Sequence, residues 1–456
     1  MTNVLGWLGI VRLGLVQTAL GSVVVLTTST FNRVMIVELL LPAVLPGALV
    51  ALYYAIQIFR PRLGYGSDVG GRRTPWIIGG MAVLALGGIG AATAIAWMEV
   101  NPAAGIALAV MAFVMIGLGV GAAGTSLLVL LATRVDAQRR SAAATIVWLM
   151  MLIGFIVTTL LASMFLDPFS TTRLVAVTSV VAGCAFLLTL AAIWRVEPST
   201  ANHPVGESPQ PAEQPTPQPP QPSFREALQQ VWDEPDARRF ALFVFVSMFA
   251  FSAQNLILEP FAGTVFGLTP GESTRLSGVQ NGGILLGMML VAIAGGSVFR
   301  IGTMRAWMIG GCIASSAGLF SLAVSGFVGP AWPLHLSVFL MGTALGAFAV
   351  AAIWSMMGLV AAGRARREGV RMGLWGAAQA LAFGLGGLLG TASIDLTRYL
   401  FNSPVVSYAT VFTAEALLFL VAGMLAARVT AAARDHPPGV ANDQASVSAV
   451  SSTSQR

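Results

Sequence analysis

Gly64-Tyr65-Gly66-Ser67-Asp68-Val69-Gly70-Gly71-Arg72-Arg73 is a glycine-rich, charged loop between two long apolar runs, and its reading decides the fold. Glycines let helix ends and backbone approach closely, and arginines just outside an apolar span hold that end on the cytoplasmic side. Asp68 lies just before the next helix, where a carboxylate is favoured by the dipole. Such a loop is also compatible with an ordinary basic connection, so the runs on either side must carry the argument.

Working outward, composition sets the class. Charged residues are 10% of the chain and hydrophobic residues 56%, with a mean hydropathy of +0.80, far from a soluble globular domain. The chain reads as a multi-span membrane protein. Its net charge of +6 comes from arginine, since lysine is absent, which excludes Schiff-base or nucleophilic lysine chemistry. A pI of about 10.1 would fit nucleic acid, but the arginines sit in short loops between apolar runs. Membrane orientation explains them better, and no nucleic-acid partner is expected. Cys184 and Cys312 each lie inside an apolar run, so neither a disulfide framework nor a cysteine metal site is expected.

Apolar runs long enough to span a bilayer fall near 13–31, 40–59, 76–98, 105–132, 142–166 and 173–194. No small-residue cleavage site follows the first, which is read as an uncleaved span. The composition then breaks into a proline-dense polar stretch, as in Pro215-Thr216-Pro217-Gln218-Pro219-Pro220. Ser223-Phe224-Arg225-Glu226 forms a capping box that opens a short amphipathic helix. Six further spans follow near 239–262, 276–299, 305–327, 332–360, 371–394 and 406–427. Arginine-bearing loops recur at matching places in the two halves, and 295–302 is a degenerate counterpart of 64–71. The expected organisation is a six-helix unit over 1–194, a proline-rich cytoplasmic linker with its short helix over 195–237, a second unit over 238–434, and a disordered tail over 435–456. Of 25 arginines, cytoplasmic termini would leave Arg33, Arg173, Arg275 and Arg398 outside and the other 21 inside.

With that repeat in place, the loop skeleton of Gly64, Asp68 and Gly71-Arg72-Arg73 resembles the signature loop between helices 2 and 3 of the major facilitator superfamily. The resemblance implies an all-α membrane protein with twelve transmembrane helices in two pseudo-symmetric six-helix bundles, and a conformational role for Gly64, Asp68, Gly71, Arg72 and Arg73.

Gly119-Val120-Gly121-Ala122-Ala123-Gly124 formally matches a dinucleotide fingerprint, but it lies inside an apolar span with no preceding strand. It reads as close helix packing, as do Gly386 and Gly390. No phosphate loop, metal spacing or nucleophile–base pair is present, so catalysis and a metal site are not expected. What stands out is a short set of polar groups in apolar spans, where ionisable residues are costly. Arg33 and Glu38 end the first span; on an α-helix their spacing puts them about 140° apart, which argues against a simple pair. Glu259 occupies the corresponding end of the seventh span, and Arg33 and Glu259 are expected to approach across the interface between the halves. The bland alternative is that all three snorkel and anchor helix ends. Gln379 and Glu415 are further candidates for cavity lining or coupling.

The string Asn32-Arg33-Val34-Met35-Ile36-Val37-Glu38, with Arg60-Pro61-Arg62-Leu63-Gly64, Arg72-Arg73-Thr74-Pro75-Trp76-Ile77 and Leu258-Glu259-Pro260-Phe261-Ala262-Gly263, closely resembles the PucC/LhaA family of photosynthetic bacteria. The likeness covers all twelve spans and is nearest to the branch labelled bacteriochlorophyll synthase 44.5 kDa chain. It implies a bacteriochlorophyll delivery or assembly factor for light-harvesting or reaction-centre polypeptides, in a bacterial inner or photosynthetic membrane. Its partners would be membrane lipid, those polypeptides, and bacteriochlorophyll or a precursor as cargo. His335 would then be a candidate axial ligand for a magnesium tetrapyrrole, although a lone interfacial histidine is more often plain structure. The competing readings are a small-solute carrier, proton-coupled or facilitative, and a pigment-free assembly scaffold.

Overall fold

A computed structural model describes residues 5–57, 73–136, 139–194, 196, 235–294, 302–362 and 368–432. The described secondary structure is all helical, in the order α1 (Trp7–Glu38), α2 (Val44–Ile56), α3 (Thr74–Met98), α4 (Pro102–Arg134), α5 (Arg140–Leu166) and α6 (Thr171–Ile193). It continues with α7 (Pro235–Phe266), α8 (Pro270–Ala294), α9 (Met304–Val328), α10 (Leu334–Ala362), α11 (Glu368–Phe401) and α12 (Pro404–Ala432). Among the described residues, eleven of these are long and apolar enough to cross a membrane, and α2 is a shorter apolar helix. The proline-rich stretch with its capping box, the C-terminal tail, and Gly64, Asp68, Gly71 and Arg72 lie outside the described residues.

Local chemistry explains several helix starts. Asn101, Ser170 and Thr303 each accept a hydrogen bond from the backbone N–H three residues on, at 3.2, 3.1 and 3.1 Å. Arg73, the one described member of the glycine-rich loop, is the N-cap of α3, and Pro75 occupies its first turn. Helix limits differ from the expected spans in an instructive way. The first apolar run ends near 31, yet the helix continues to Glu38, because Asn32 and Arg33 find partners inside the protein. α8 begins at Pro270 and not near 276, because Thr269 and Glu272 form a capping box: Thr269 N–H donates to Glu272 Oε2 at 2.9 Å and Glu272 N–H to Thr269 Oγ1 at 3.2 Å.

Inside apolar surroundings, helices associate through close packing, so small residues mark the seams. A methyl group at Gly119 would stand 2.6 Å from Leu84 N, and one at Gly80 2.6 Å from Ala123 N. The dinucleotide-like glycine run is therefore one side of the α3–α4 contact. Gly390 likewise faces Ala253 of α7, with 2.7 Å left for a methyl group, and Gly386 lies against the Phe249 carbonyl.

One buried cluster is built mainly from α7 to α12, with Phe240, Phe261, Phe348, Phe412 and Phe419 at its centre; another is built mainly from α1 to α6, including Leu20, Phe31, Leu84 and Phe113. The two interlock. Ile36 of α1 belongs to the first cluster and Leu256 of α7 to the second. α1 meets α7, α2 meets α11 and α5 meets α8 across this seam.

Candidate functional site between the two halves

The seam is polar where α1 crosses α7 and α8. α1 is not a uniform α-helix here: it winds as π-helix over Leu26–Thr30 and again over Val34–Glu38, with Phe31–Arg33 between. The sequence Thr27-Thr28-Ser29-Thr30 accounts for the first of these turns. Thr27 and Thr28 hydroxyls both donate to the Val24 carbonyl, at 2.8 and 3.0 Å, and Asn32 Nδ2 donates to the Thr28 carbonyl at 2.5 Å. Side chains that bond back to carbonyls loosen the α ladder, and π turns are enriched where helices carry function.

The second π turn overturns one expectation. Arg33 and Glu38 were expected to diverge, yet Arg33 Nη1 donates to Glu38 Oε1 in a salt bridge. The α-helical angle does not apply, because a π-helix bonds residue i to i+5 and so stacks residues five apart on one side. Arg33 is 2% exposed, whereas the Glu38 side chain is 32% exposed. The other arm of the guanidinium, Nη2, donates to the Leu268 carbonyl at 2.7 Å, just past the end of α7. It reaches there over Gly263, where a methyl group would stand 3.1 Å from Arg33 Nε. One arginine thus ties the end of α1 to both its own turn and the opposite half.

Glu259 is also at this seam and fully buried, with Arg33 and Ser29 as electrostatic neighbours. Arg33 and Glu259 both lie at the seam, but the ion pair that Arg33 forms there is with Glu38. Glu259 Oε1 instead accepts from Ser277 Oγ at 2.5 Å, and its Oε2 has no hydrogen-bond partner among the described residues. Thr30 and Thr274 hydroxyls meet at 3.1 Å across the seam. Gln280 Nε2 donates to Gln254 Oε1 at 3.1 Å, with both side chains buried. Asn32 Oδ1, Arg33 Nε and Gln254 Nε2 are buried without partners among the described residues. Unpartnered donors and acceptors together in one apolar setting are costly, and they equip the seam to bind a polar group or to exchange partners as the halves move.

The remaining candidates stand apart. Glu415 is 3% exposed on α12, in the core of the second half, and neither carboxylate oxygen has a hydrogen-bond partner among the described residues. Gln379 is exposed on α11, with Nε2 3.9 Å from Met248 Sδ. His335 is exposed in the first turn of α10. Sequence reasoning missed Asn32, Ser277, Thr274 and Gln280 as members of the seam; their signal was a polar side chain inside an apolar span.

A groove of about 420 Å³ lies elsewhere, between α3 and α4, lined by Pro75, Trp76, Gly79, Gly80, Val83, Leu118 and Ala122. Its wall is apolar and open on one side, where Pro75, Gly79 and Leu118 are exposed. No atom comes within 4 Å of a methyl group placed at Gly79.

Comparison with known proteins places these features in context. The sequence profile described as PUCC protein matches residues 30–434. The chain is 51% identical over 428 residues to the bacteriochlorophyll synthase 44.5 kDa chain of Rhodobacter capsulatus, covering 94% of this chain and 96% of that one. It is 30% identical to Protein PucC of Rhodobacter capsulatus, over 91% of this chain and 90% of that one. Among solved structures, a bacterial homologue of the human lysosomal transporter Spinster, inward-facing and occupied, superposes with a TM-score of 0.65 at 13% identity, covering 94% of this chain and 98% of that one. The fold is that of the major facilitator transporters.

Proposed function

The chain belongs to the PUCC protein family, and from that premise we propose that it delivers bacteriochlorophyll or a precursor to light-harvesting or reaction-centre polypeptides, without itself catalysing a reaction. It acts from a bacterial inner or photosynthetic membrane with both termini on the cytoplasmic side, in keeping with the arginine bias. The observation that carries the reading is the α3–α4 groove. A flat, apolar macrocycle with a long isoprenoid tail stays within the bilayer, so its carrier needs a site reached sideways. An apolar groove open on one side, with the half-buried Trp76 ring on its wall and a glycine floor, meets that need. The resident cargo is pigment, and the synthase label of the 51% identical relative implies no catalytic step here.

A second reading, a small-solute carrier, is favoured by the unpartnered polar atoms of Asn32, Gln254 and Glu259 between the halves. The two are separated by purifying the protein in mild detergent from a bacteriochlorophyll-producing host and counting extracted pigment per chain. Delivery gives near-stoichiometric pigment that survives washing and is several-fold lower in Gly79→Leu, which fills the groove without a backbone clash. His335→Ala tests the ligand role in the same preparation. A colourless protein, under conditions that keep a known pigment complex intact, overturns delivery and leaves the carrier and scaffold readings to flux assays and co-purification.

A further inference from the structure

Two aspartates, one in each half, cap a helix of the other half. Asp167 follows α5, and its Oδ2 accepts from Thr269 Oγ1 at 2.6 Å while Oδ1 accepts from Gly271 N at 3.2 Å, at the start of α8. Asp395, near the end of α11, accepts from Ala43 N at 2.9 Å through Oδ1 and from Val44 N at 2.7 Å through Oδ2, at the start of α2. α5 and α11 are each the fifth helix of their half, and α2 and α8 each the second. The two contacts are therefore related by the same pseudo-two-fold that relates the halves.

The flanking sequence is matched as well. Pro46-Gly47 opens α2 and Pro270-Gly271 opens α8. A methyl group at Gly47 would collide with Thr391 Oγ1, one turn before Asp395, and one at Gly271 with Asp167 Oδ2 itself. In both cases a glycine brings the capped helix close enough for the carboxylate to reach. The N-cap of α2 is Ala43, which has no side-chain oxygen, so Asp395 supplies the acceptors that a local cap otherwise would. Both contacts sit at the helix ends that neighbour Arg33 and Leu268, flanking the α1–α7 crossing.

We propose that Asp167 and Asp395 are a matched pair of latches that hold the two halves closed at the Arg33 face, and that this face opens when both release their helix ends. A carboxylate on a helix N-terminus is an electrostatic contact that forms and breaks with little repacking, which suits a contact remade in each cycle. The inference concerns motion of the halves and does not depend on whether the cargo is pigment or solute.

The test uses the full-length protein with Cys184→Ser and Cys312→Ala, carrying nitroxide labels at Val100→Cys and Val328→Cys. These are exposed positions on opposite halves, just past the end of α3 and at the end of α9, and neither belongs to a latch. Pulsed electron–electron distance measurements in nanodiscs are expected to give one dominant short distance. Asp167→Ala or Asp395→Ala raises a longer population several-fold, and the double variant makes it dominant. Monodispersity and thermal melting establish that each variant is folded; if an alanine variant is not, Asp167→Asn and Asp395→Asn take its place, with the same direction and a smaller shift. A folded double variant whose distance distribution matches the parent overturns the proposal and reduces both aspartates to helix caps.

Discussion

At the residue scale the decisive group is Arg33, whose two arms serve two partners in different halves. The planar guanidinium fork reaches Glu38 and the Leu268 carbonyl together, which a lysine ammonium cannot match. Arg33→Lys is therefore expected to lower stability by about 1–3 kcal/mol, read as a drop in the thermal midpoint in detergent. Glu38→Gln is expected to cost less, about 1 kcal/mol or under, because a carboxylate that is 32% exposed keeps much of its hydration. Equal losses for the two variants would refute this asymmetry. Much of this site was legible in the sequence: Arg33, Glu38 and Glu259 stand out as ionisable groups in apolar runs. Their pairing was not, because α-helical spacing does not hold for residues that wind as a π turn. The run Thr27-Thr28-Ser29-Thr30 was the visible warning, since consecutive hydroxyls compete for helix carbonyls.

At the element scale, glycine spacing does more than hydrophobic pattern to define how helices meet. All twelve helices are apolar on most faces, so amphipathicity says little about which side packs. The seams lie where backbones touch: methyl groups at Gly283 and Gly287 of α8 would strike the carbonyls of Phe339 and Thr343, and at Gly342 and Gly346 of α10 those of Gln280 and Ile284. Gly287→Val should force α8 and α10 apart, with loss of monodisperse protein on gel filtration. Gly310→Val is the control, because nothing lies within 4 Å of a methyl group there, and its cost should stay within about 1 kcal/mol. If both variants behave alike, backbone contact is not what holds α8 to α10. The packing role of Gly119, Gly386 and Gly390 was readable from the sequence, since a fingerprint without a strand has no phosphate to cradle. The start of α8 was not, because hydropathy marks only the apolar stretch, and the first two turns of α8 carry Glu272 and Arg275.

At the scale of the whole molecule, two halves of matching helix order meet where α1 crosses α7 and α8, α2 meets α11 and α5 meets α8, and the degenerate loop repeat made that arrangement visible in the sequence. What the sequence could not reveal is how the halves are held, because each contact joins residues a hundred or more positions apart, as Asp167 does with Gly271, Arg33 with Leu268 and Thr30 with Thr274. Those last two hydroxyls offer a direct handle on the motion. Their oxygens are 3.1 Å apart, so the two side chains are in direct contact across the seam. Thr30→Cys with Thr274→Cys, in a Cys184→Ser background, should cross-link on mild oxidation. Cutting at a protease site introduced in the proline-rich linker would then leave one band without reductant and two with it. If delivery depends on opening at the Arg33 face, cells carrying the oxidised pair accumulate far less assembled light-harvesting complex, and reductant restores it. A cross-linked protein that supports normal assembly would mean that the halves work as a rigid platform, which is the behaviour of a scaffold and not of a carrier that alternates.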